Sequence, residues 1–150
     1  MTADASRLRD GLARWALQVQ TDAVEAMPDL IRPSAPLGKP SEDPESSYVP
    51  GALRAAIAVT SPVSNGGTRF PGRVSAPVPQ AVYTDRGTEP HRIPKDGVKL
   101  LRFPWRGAIV YRMHVDHPGT TAQNWWEPAV RAAYTQALLA AAVDRELSTV

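Results

Sequence analysis

The sequence contains no cysteine, no long apolar run and no strong excess of charge. Without cysteine there can be neither disulfides nor thiolate chemistry, as suits a reducing compartment. No stretch approaches the roughly 18 apolar residues that indicate a transmembrane helix, and no signal peptide is recognisable, so we expect a soluble protein without membrane contact. A net charge of +2, spread along the chain, does not indicate a broad nucleic-acid-binding surface.

Proline, in contrast, is abundant, with 15 in 150 residues. Residues 28–50 hold six of them among Ser, Gly, Lys, Glu and Asp. Such a segment cannot bury enough apolar surface to offset the entropy lost on ordering. We therefore predict a single domain over residues 1–150 in which 28–50 is an extended proline-rich arm or loop. It is either a mobile surface loop or an arm that becomes ordered by lying along a partner.

A β-hairpin is predicted within Leu100–Thr120. Two apolar and aromatic runs flank Pro104-Trp105-Arg106-Gly107, which we expect to form a loop of about four residues. In the second run, alternation places Ile109 and Tyr111 on one side of a strand, and Val110 on the other. A lone hairpin is marginally stable in water, so further strands or a helix should cover its apolar face.

Helices are predicted at both ends of the chain. Residues 4–27 carry an apolar stripe at three- and four-residue spacing, which we expect to pack on a sheet, and Pro28 should end this helix. Near the other end, Asn124 and Glu127 have the spacing of a capping box. We expect the stripe of this last helix to be buried, with Trp125 on a neighbouring face; it consists of Trp126, Val130, Ala133, Tyr134, Ala137, Leu138 and Ala141.

The elements between are short. A helical turn near Leu53 should lead into a strand that ends at Pro62, and Arg73–Val78 is the candidate returning strand. Asn65-Gly66-Gly67 has the composition of a turn. Gln80–Arg86 is predicted to be a helical turn that ends at Gly87. Gly87 and Gly119 each follow a segment that must reverse direction, so we expect a positive φ at both.

One cluster has the residue types of a metal site: His114, Asp116 and His117. On a strand, His114 and Asp116 share a face, and imidazole and carboxylate are both zinc ligands. Further ligands would have to come from His91, Asp85 or Glu89, whose positions the sequence does not fix. The alternative is a set of hydrogen-bonded loop histidines beside the Pro118-Gly119 turn, and no metal, cofactor or catalytic residue is assigned.

The sequence gives less support to nucleophilic catalysis, phosphate binding or nucleic-acid binding. No Gly-x-Ser-x-Gly nucleophile elbow exists, and Asn65-Gly66-Gly67-Thr68 lacks the lysine of a phosphate-binding loop. Tryptophans close to arginines can stack on single-stranded bases, although such aromatics more often lie in a core or a subunit interface. The residues in question are Trp105, Trp125 and Trp126, with Arg102, Arg106 and Arg112.

Several short motifs in a fixed order resemble a known family. Val49-Pro-Gly-Ala-Leu-Arg-Ala-Ala-Ile57 is similar to a Thr-Gly-x-Leu-Arg-x-Ser-Ile pattern, with Pro50 at the usual Thr position. Ala81-Val-Tyr-Thr-Asp-Arg-Gly-Thr88 resembles Tyr-Ala-x-x-x-Glu-x-Gly-Thr. Leu100-Leu-Arg-Phe103, His117-Pro-Gly-Thr120 and Trp125-Trp-Glu-Pro-Ala129 follow. In this order they resemble the small neck or tail-component proteins of long-tailed bacteriophages, over roughly residues 5–145.

The resemblance implies an α+β fold, in which a long N-terminal helix and a C-terminal helix pack on an antiparallel sheet. The long proline-rich loop, inferred from composition, is longer than this family pattern leads us to expect. It implies a structural, non-enzymatic virion protein, either a head–tail connector or a tail-completion or terminator component, assembled in the host cytoplasm. Its expected partners are further copies in a ring, expected to be a hexamer, the adjacent connector and tail proteins, and DNA that passes through the lumen without sequence recognition.

Two other functions stay open on the residues alone. One is a small metal-dependent enzyme that uses His114, Asp116 and His117, and the other is a nucleic-acid-binding module. For the structural role, the candidate partner interface consists of Pro33, Pro36, Lys39, Pro40, Pro44, Tyr48, Trp105, Arg106 and Trp125.

Overall fold

The structure, a computed structural model, describes residues 2–39, 49–64, 69–94 and 100–147, with side chains from Ala5 onward. The helices are α1 (Thr2–Ile31, continued by a 3₁₀ turn, Arg32–Ser34), α2 (Ala52–Ala55), α3 (Pro79–Arg86) and α4 (Trp126–Leu147). The strands are β1 (Ala58–Ser61), β2 (Arg73–Ser75), β3 (His91–Ile93), β4 (Leu101–Trp105), β5 (Ala108–Arg112) and β6 (Val115–His117). The predicted turn at 65–67 lies outside the described residues.

The chain divides into two compact units. The helical unit comprises Met1–Ala35, Arg54–Pro77 and Trp125–Val150, and the hairpin unit comprises Pro36–Leu53 and Val78–Asn124. The prediction of a single domain over the whole chain stays a prediction.

Helix α1 continues past Pro28, which was predicted to end it. Proline lacks the N–H that would bond to the carbonyl of Val24, a loss that costs about 3 kcal/mol in a helix interior. The extra turn buries Ile31 completely, and Met27 is 5% exposed. Each fully buried side chain of this size contributes about 1.5–3 kcal/mol, so packing on both sides of the proline offsets the lost hydrogen bond.

Helix α4 buries Ala133, Ala137 and Ala141 of the predicted stripe, but not its larger residues. Its buried residues recur every fourth position, at Ala129, Ala133, Ala137 and Ala141. The small side chains let α1 approach closely, so α1 packs mainly on α4 rather than on a sheet. The larger residues of the predicted stripe flank this contact: Trp126, Val130 and Leu138 are half-buried and Tyr134 is exposed.

The start of α4 also differs from the prediction. Asn124 has a φ of 48°, whereas a capping residue has an extended backbone. The N–H of Ala129 donates to the carbonyl of Trp125 at 3.2 Å, so Trp125 holds the cap position. Glu127 pairs with Arg131 at 2.8 Å instead of closing a capping box.

A short antiparallel ribbon lies on α1 in the helical unit. Strands β1 and β2 pair through Ala58 with Ser75 and Val59 with Val74, as the predicted returning strand requires. The guanidinium of Arg32, just past the end of α1, donates to the carbonyl of Ile57 at 3.0 Å. Since Ile57 is completely buried, this hydrogen bond fixes the start of the ribbon to the end of the helix.

The hairpin unit consists of two ribbons and one helix. Strands β4 and β5 form the predicted hairpin, with Phe103 opposite Val110. Strands β3 and β6 pair through Arg92 and Asp116. Helix α3 ends at Gly87, whose N–H donates to the carbonyl of Tyr83 at 3.0 Å.

Two glycines close this unit, as the sequence predicts. Gly87 and Gly119 have φ values of 73° and 85°. They lie beside an isolated bridge in which Thr88 and Thr120 exchange two backbone hydrogen bonds of 3.0 Å each. The prediction of positive φ at both positions is confirmed.

The α+β class predicted from the sequence is confirmed. The strands form three separate two-stranded antiparallel ribbons, since no strand among the described residues pairs with more than one other. Within the same ranges, neither long helix contains a stretch apolar enough to cross a lipid bilayer.

Candidate functional site

The tip of the β4–β5 hairpin is a tight turn with an exposed aromatic side chain. Arg106 and Gly107 connect the strands with φ values of 52° and 79°. The link is therefore two residues long rather than the predicted four, and positive φ at both central positions is the type I′ geometry. Trp105 directly precedes the turn and is 59% exposed. The Arg106 guanidinium carbon lies 5.8 Å from the centre of the Trp105 ring.

Arg106 adopts a conformation that its residue type disfavours. Left-handed backbone costs a non-glycine residue about 1–2 kcal/mol, and Asn or Asp is the usual choice before the glycine of such a turn. Here an arginine occupies that position and stacks its charged group over an exposed indole. Departures from local preference of this kind concentrate at functional sites.

Apolar side chains line one face of the same hairpin. Phe103, Trp105 and Val110 lie on it with Arg112, because residues paired across antiparallel strands share a face. Together with His114 and Val115, they line a shallow depression of about 370 Å³. The opposite face carries Ile109 and Tyr111, which are 38% and 54% exposed. Further strands or a helix were expected to cover the apolar face of this hairpin, but its side chains are only partly buried.

The proline-rich segment is anchored where the described residues end and resume. Arg54 donates from Nε to the carbonyl of Ala35 at 2.7 Å and from Nη2 to that of Pro33 at 3.2 Å. In the hairpin unit, the N–H of Gly51 donates to the carbonyl of Leu37 at 2.8 Å. Residues 37 and 51, on either side of the proline-rich segment, are therefore hydrogen-bonded neighbours.

The candidate interface residues of this segment are only partly described. Pro33 and Lys39 are exposed and Pro36 is half-buried. Pro40, Pro44 and Tyr48 lie outside the described residues. Whether the segment is an arm or a passive loop stays a matter of prediction.

Trp125 lies in a core rather than on a surface. It is 8% exposed, and its ring meets that of Trp126 edge to face with 5.4 Å between centroids. Trp125 therefore offers little area to a partner, although it was a candidate interface residue. Of the three candidate stacking tryptophans, Trp105 has the greatest exposure.

The histidines of the candidate metal cluster face different surroundings. His114 precedes β6 and lines the depression beside Trp105, whereas His117 lines another cleft with His91 and Tyr83. Asp116 is paired with Arg92 at 2.9 Å. Among the described residues, no three imidazole or carboxylate groups come together in a geometry that could hold a metal ion.

His91 and His117 form a ring pair across strands β3 and β6. Their centroids are 5.1 Å apart. His91 Nδ1 lies 2.7 Å from the carbonyl oxygen of Glu89, which can only accept, so this nitrogen carries a proton. His117 Nδ1 accepts from the N–H of Gly119 at 3.0 Å. Backbone groups close to each strand thus hold both rings, and the two histidines lie in strands rather than in a loop.

The sequence did not predict the exposed apolar side chains on the two long helices. Leu8, Leu12 and Trp15 belong to the predicted buried stripe of α1, yet they are 69%, 66% and 40% exposed. On α4, Leu139 and Val143 are 63% and 55% exposed. In the structure α1 has 30 residues and α4 has 22, so α4 cannot cover α1 along its whole length. The sequence did not indicate this, because the first helix was predicted to end at Pro28 and to pack on a sheet.

No known protein-family model matches this chain, and no curated sequence or solved structure shows significant similarity to it.

Proposed function

We propose that this protein is a structural subunit of the neck or tail end of a long-tailed bacteriophage. In this role it is a head–tail connector, tail-completion or terminator-like component, and it forms a ring around the DNA channel. The ordered set of short motifs, from Val49 to Ala129, supports the proposal.

The exposed hairpin tip is the structural observation on which the proposal rests most. Trp105 is 59% exposed at the end of a two-stranded ribbon, and Arg106 next to it has a left-handed backbone conformation. Tryptophan and arginine are the side chains most enriched at the energetic centres of protein interfaces. A subunit whose task is to join neighbours in an assembly has a use for such a tip.

The proposed partners follow from a position in the neck. Copies of the chain associate in a ring, expected to be a hexamer, and the ring contacts adjacent connector and tail proteins. DNA passes through its lumen without sequence recognition, in keeping with a net charge of only +2. The subunit assembles in the host cytoplasm and resides in the virion.

Two measurements test this function. Antibodies against the purified protein should label the head–tail junction or the tail end of the phage particles that contain it. Native mass spectrometry and negative-stain microscopy should show rings. Absence of the protein from virions would contradict the proposal.

The alternatives have their own signatures. Stoichiometric zinc that disappears in His117→Ala would favour the metal-dependent enzyme. Steeply salt-dependent binding to DNA or RNA would favour the nucleic-acid module. Trp105→Ala provides the control for the second, because stacking on bases depends on that ring whereas phosphate contacts do not.

A further inference from the structure

The β4–β5 hairpin carries no acidic residue. From Leu100 to Val115 the chain has three arginines, Arg102, Arg106 and Arg112, and neither aspartate nor glutamate. Basic and acidic residues are almost balanced over the whole chain, at 17 and 15, so the excess of positive charge is local to the hairpin. A surface with charge of one sign selects a partner that carries the opposite charge.

One face of the hairpin combines this charge with open apolar surface. The shallow depression of about 370 Å³ on this face is the surface that we call the hairpin depression, and no carboxylate is among its described lining residues. Trp105 is 59% exposed there, and Phe103 and Val110 are half-buried. Its lining consists of Phe103, Trp105, Val110, Arg112, His114 and Val115.

The arginines beside the depression have no carboxylate partner within the part of the chain that the structure describes. Arg112 donates from Nη1 to the backbone carbonyl of Tyr111 at 3.0 Å, and Arg106 lies over the ring of Trp105. Neither arginine belongs to an ion pair among the described residues. A carboxylate brought to this surface therefore meets two cations without displacing another carboxylate.

A stretch of complementary charge occurs in the same sequence. Residues 40–48, PSEDPESSY, include Glu42, Asp43 and Glu45 and contain no lysine or arginine. They also include two prolines and a tyrosine. Proline-rich segments dock on aromatic-lined grooves in several classes of peptide-binding domain. Because proline fixes φ, such a segment loses less conformational entropy on docking.

We propose that residues 40–48 of one copy of this chain dock in the hairpin depression of a second copy. The inference rests on the proposed ring and names a contact through which neighbouring subunits join. The prolines contact the apolar floor beside Trp105, and the carboxylates pair with Arg106 and Arg112. Since each copy offers one segment and one depression, repetition of this contact builds a ring when the rotation closes.

Two observations favour a second copy over the chain's own depression. Trp105 is 59% exposed in the single chain, so the residues of one copy leave its ring open to a partner. Leu37 and Gly51 are hydrogen-bonded to each other, so the residues between them start and end at one point. About six residues in each direction, at roughly 3.3 Å per residue, reach at most about 20 Å from that point. This length is sufficient to cross a contact between adjacent subunits.

A peptide of residues 38–50 tests the contact directly. Its receptor is the full chain in which a short Gly-Ser link replaces residues 40–48, so that no segment of the receptor competes. Isothermal titration calorimetry and the NMR signal of the Trp105 indole N–H measure binding. We expect saturable one-to-one binding that weakens as salt is added. A peptide carrying Glu42→Lys, Asp43→Lys and Glu45→Lys should not bind.

Two receptor variants locate the site, each with a matched control. Trp105→Ala removes the exposed ring and Arg112→Glu reverses a charge, and each should weaken peptide binding about tenfold or more. Tyr111→Ala removes a ring that is 54% exposed on the opposite face of the same hairpin, and Arg86→Glu reverses an exposed charge on α3. Both controls should bind the peptide as the unchanged receptor does. Arg112→Glu should also bind the lysine-substituted peptide more tightly than the unchanged receptor does.

Mixing full chains distinguishes docking between copies from docking within one. The chain with the Gly-Ser link retains a depression, and the Trp105→Ala chain retains a segment. By native mass spectrometry, each alone should associate less than the wild type. A mixture of the two, one of them isotope-labelled, should restore one intact contact and give mixed dimers.

Three results would overturn the inference. A receptor that does not bind the peptide, or that loses binding equally in Tyr111→Ala and Trp105→Ala, removes the assigned site. Peptide binding without mixed dimers indicates that the segment docks within its own chain. Binding of a single-stranded oligothymidylate instead of the peptide, with loss in Trp105→Ala, assigns the hairpin to nucleic acid. None of these depends on whether virions contain the protein, so failure of the contact and failure of the phage function are distinguishable.

Discussion

Replacing Gly119 with alanine tests how the hairpin unit closes on itself. With φ at +85°, a Cβ at this position would stand 2.3 Å from the carbonyl oxygen of Thr88 and 3.0 Å from the carbonyl carbon of Glu89. Both are backbone atoms, so no side-chain rotation relieves the clash. The change must displace the bridge in which Thr88 and Thr120 exchange two hydrogen bonds of 3.0 Å.

The expected cost combines two terms. Left-handed backbone strains a non-glycine residue by about 1–2 kcal/mol. Loss of the two bridge hydrogen bonds adds about 1 kcal/mol each. We therefore expect Gly119→Ala to lower the free energy of unfolding of the hairpin unit by about 3 kcal/mol or more. Gly87→Ala should behave alike, since its Cβ would stand 2.4 Å from the carbonyl oxygen of Thr120.

Substitutions at two other glycines distinguish the cost of backbone strain from the cost of a steric clash. Gly107 has a φ of +79° but no atom within 4 Å of a Cβ, so Gly107→Ala should show the strain alone, about 1–2 kcal/mol. Gly11 has free space around it and an ordinary helical backbone. Gly11→Ala should therefore stabilise the helical unit by about 0.5–1 kcal/mol.

Hydrogen exchange at the Thr88 and Thr120 amides reads out the bridge directly, and urea unfolding gives the free energies. Trp105 is the single tryptophan of the hairpin unit, so its fluorescence in a background where the other three are phenylalanine follows that unit. Suppose that Gly119→Ala lowers the free energy of unfolding no more than Gly107→Ala does and leaves both amides protected. The close approach of the Thr88 backbone to Gly119 would then not be what requires glycine at this position.

Three further predictions follow from other parts of the chain. Trp125→Ala should lower the free energy of unfolding in urea by about 3–5 kcal/mol, and Trp126→Ala by less, because Trp125 is 8% exposed. A larger loss for Trp126→Ala would instead agree with the sequence prediction that Trp126 is the buried residue. Arg106→Asn should stabilise the hairpin by a few tenths of a kcal/mol yet weaken ring assembly, and unchanged assembly would exclude Arg106 from the interface. Replacing residues 40–48 by a short Gly-Ser link should leave thermal unfolding unchanged, since Leu37 and Gly51 are already hydrogen-bonded, while weakening assembly. We expect proteases to cut this segment in the monomer but not in the assembled particle; wild-type assembly of the replaced chain would make it a passive loop.

The elements that were predictable from the sequence are those set by local chemistry. The hairpin within Leu100–Thr120 follows from strand formers on both sides of a Pro and a Gly, and the positive φ of Gly87 and Gly119 follows from chain reversal beside glycine. Helix α1 is likewise present as its stripe predicts. Its end is misplaced because the proline rule is local, whereas the burial of Ile31, which carries the helix past Pro28, is a tertiary effect.

The predicted stripe of α4 is right for Ala133, Ala137 and Ala141 and wrong for its large residues. A stripe identified from sequence gives most weight to large apolar residues such as Trp126 and Leu138. In the structure, the contact with α1 is made through alanines, because small side chains permit close approach of two helices, and the larger residues flank it. Alanine is also the most favourable residue on any helix surface, so its presence alone cannot mark a buried face.

Among the candidate site residues, too, features set by local sequence were predictable and those set by tertiary packing were not. An exposed Trp105 beside Arg106 follows from a hairpin tip, which the sequence locates, whereas burial of Trp125 depends on tertiary packing. The metal cluster required His114 and His117 to converge, but adjacency in sequence does not ensure it. They line different clefts, and Asp116 between them is paired with Arg92.

Amphipathicity indicates that a face will be covered, but not by which molecule. The stripe on α1 has the same spacing at Leu8 and Leu12 as at Val19 and Ala23, and only the second pair is buried within the unit. Burying the first pair as well would have required a longer α4 or a further element. An exposed stripe that keeps its apolar residues forgoes several kcal/mol of burial in the isolated chain. That free energy remains available for association with another molecule.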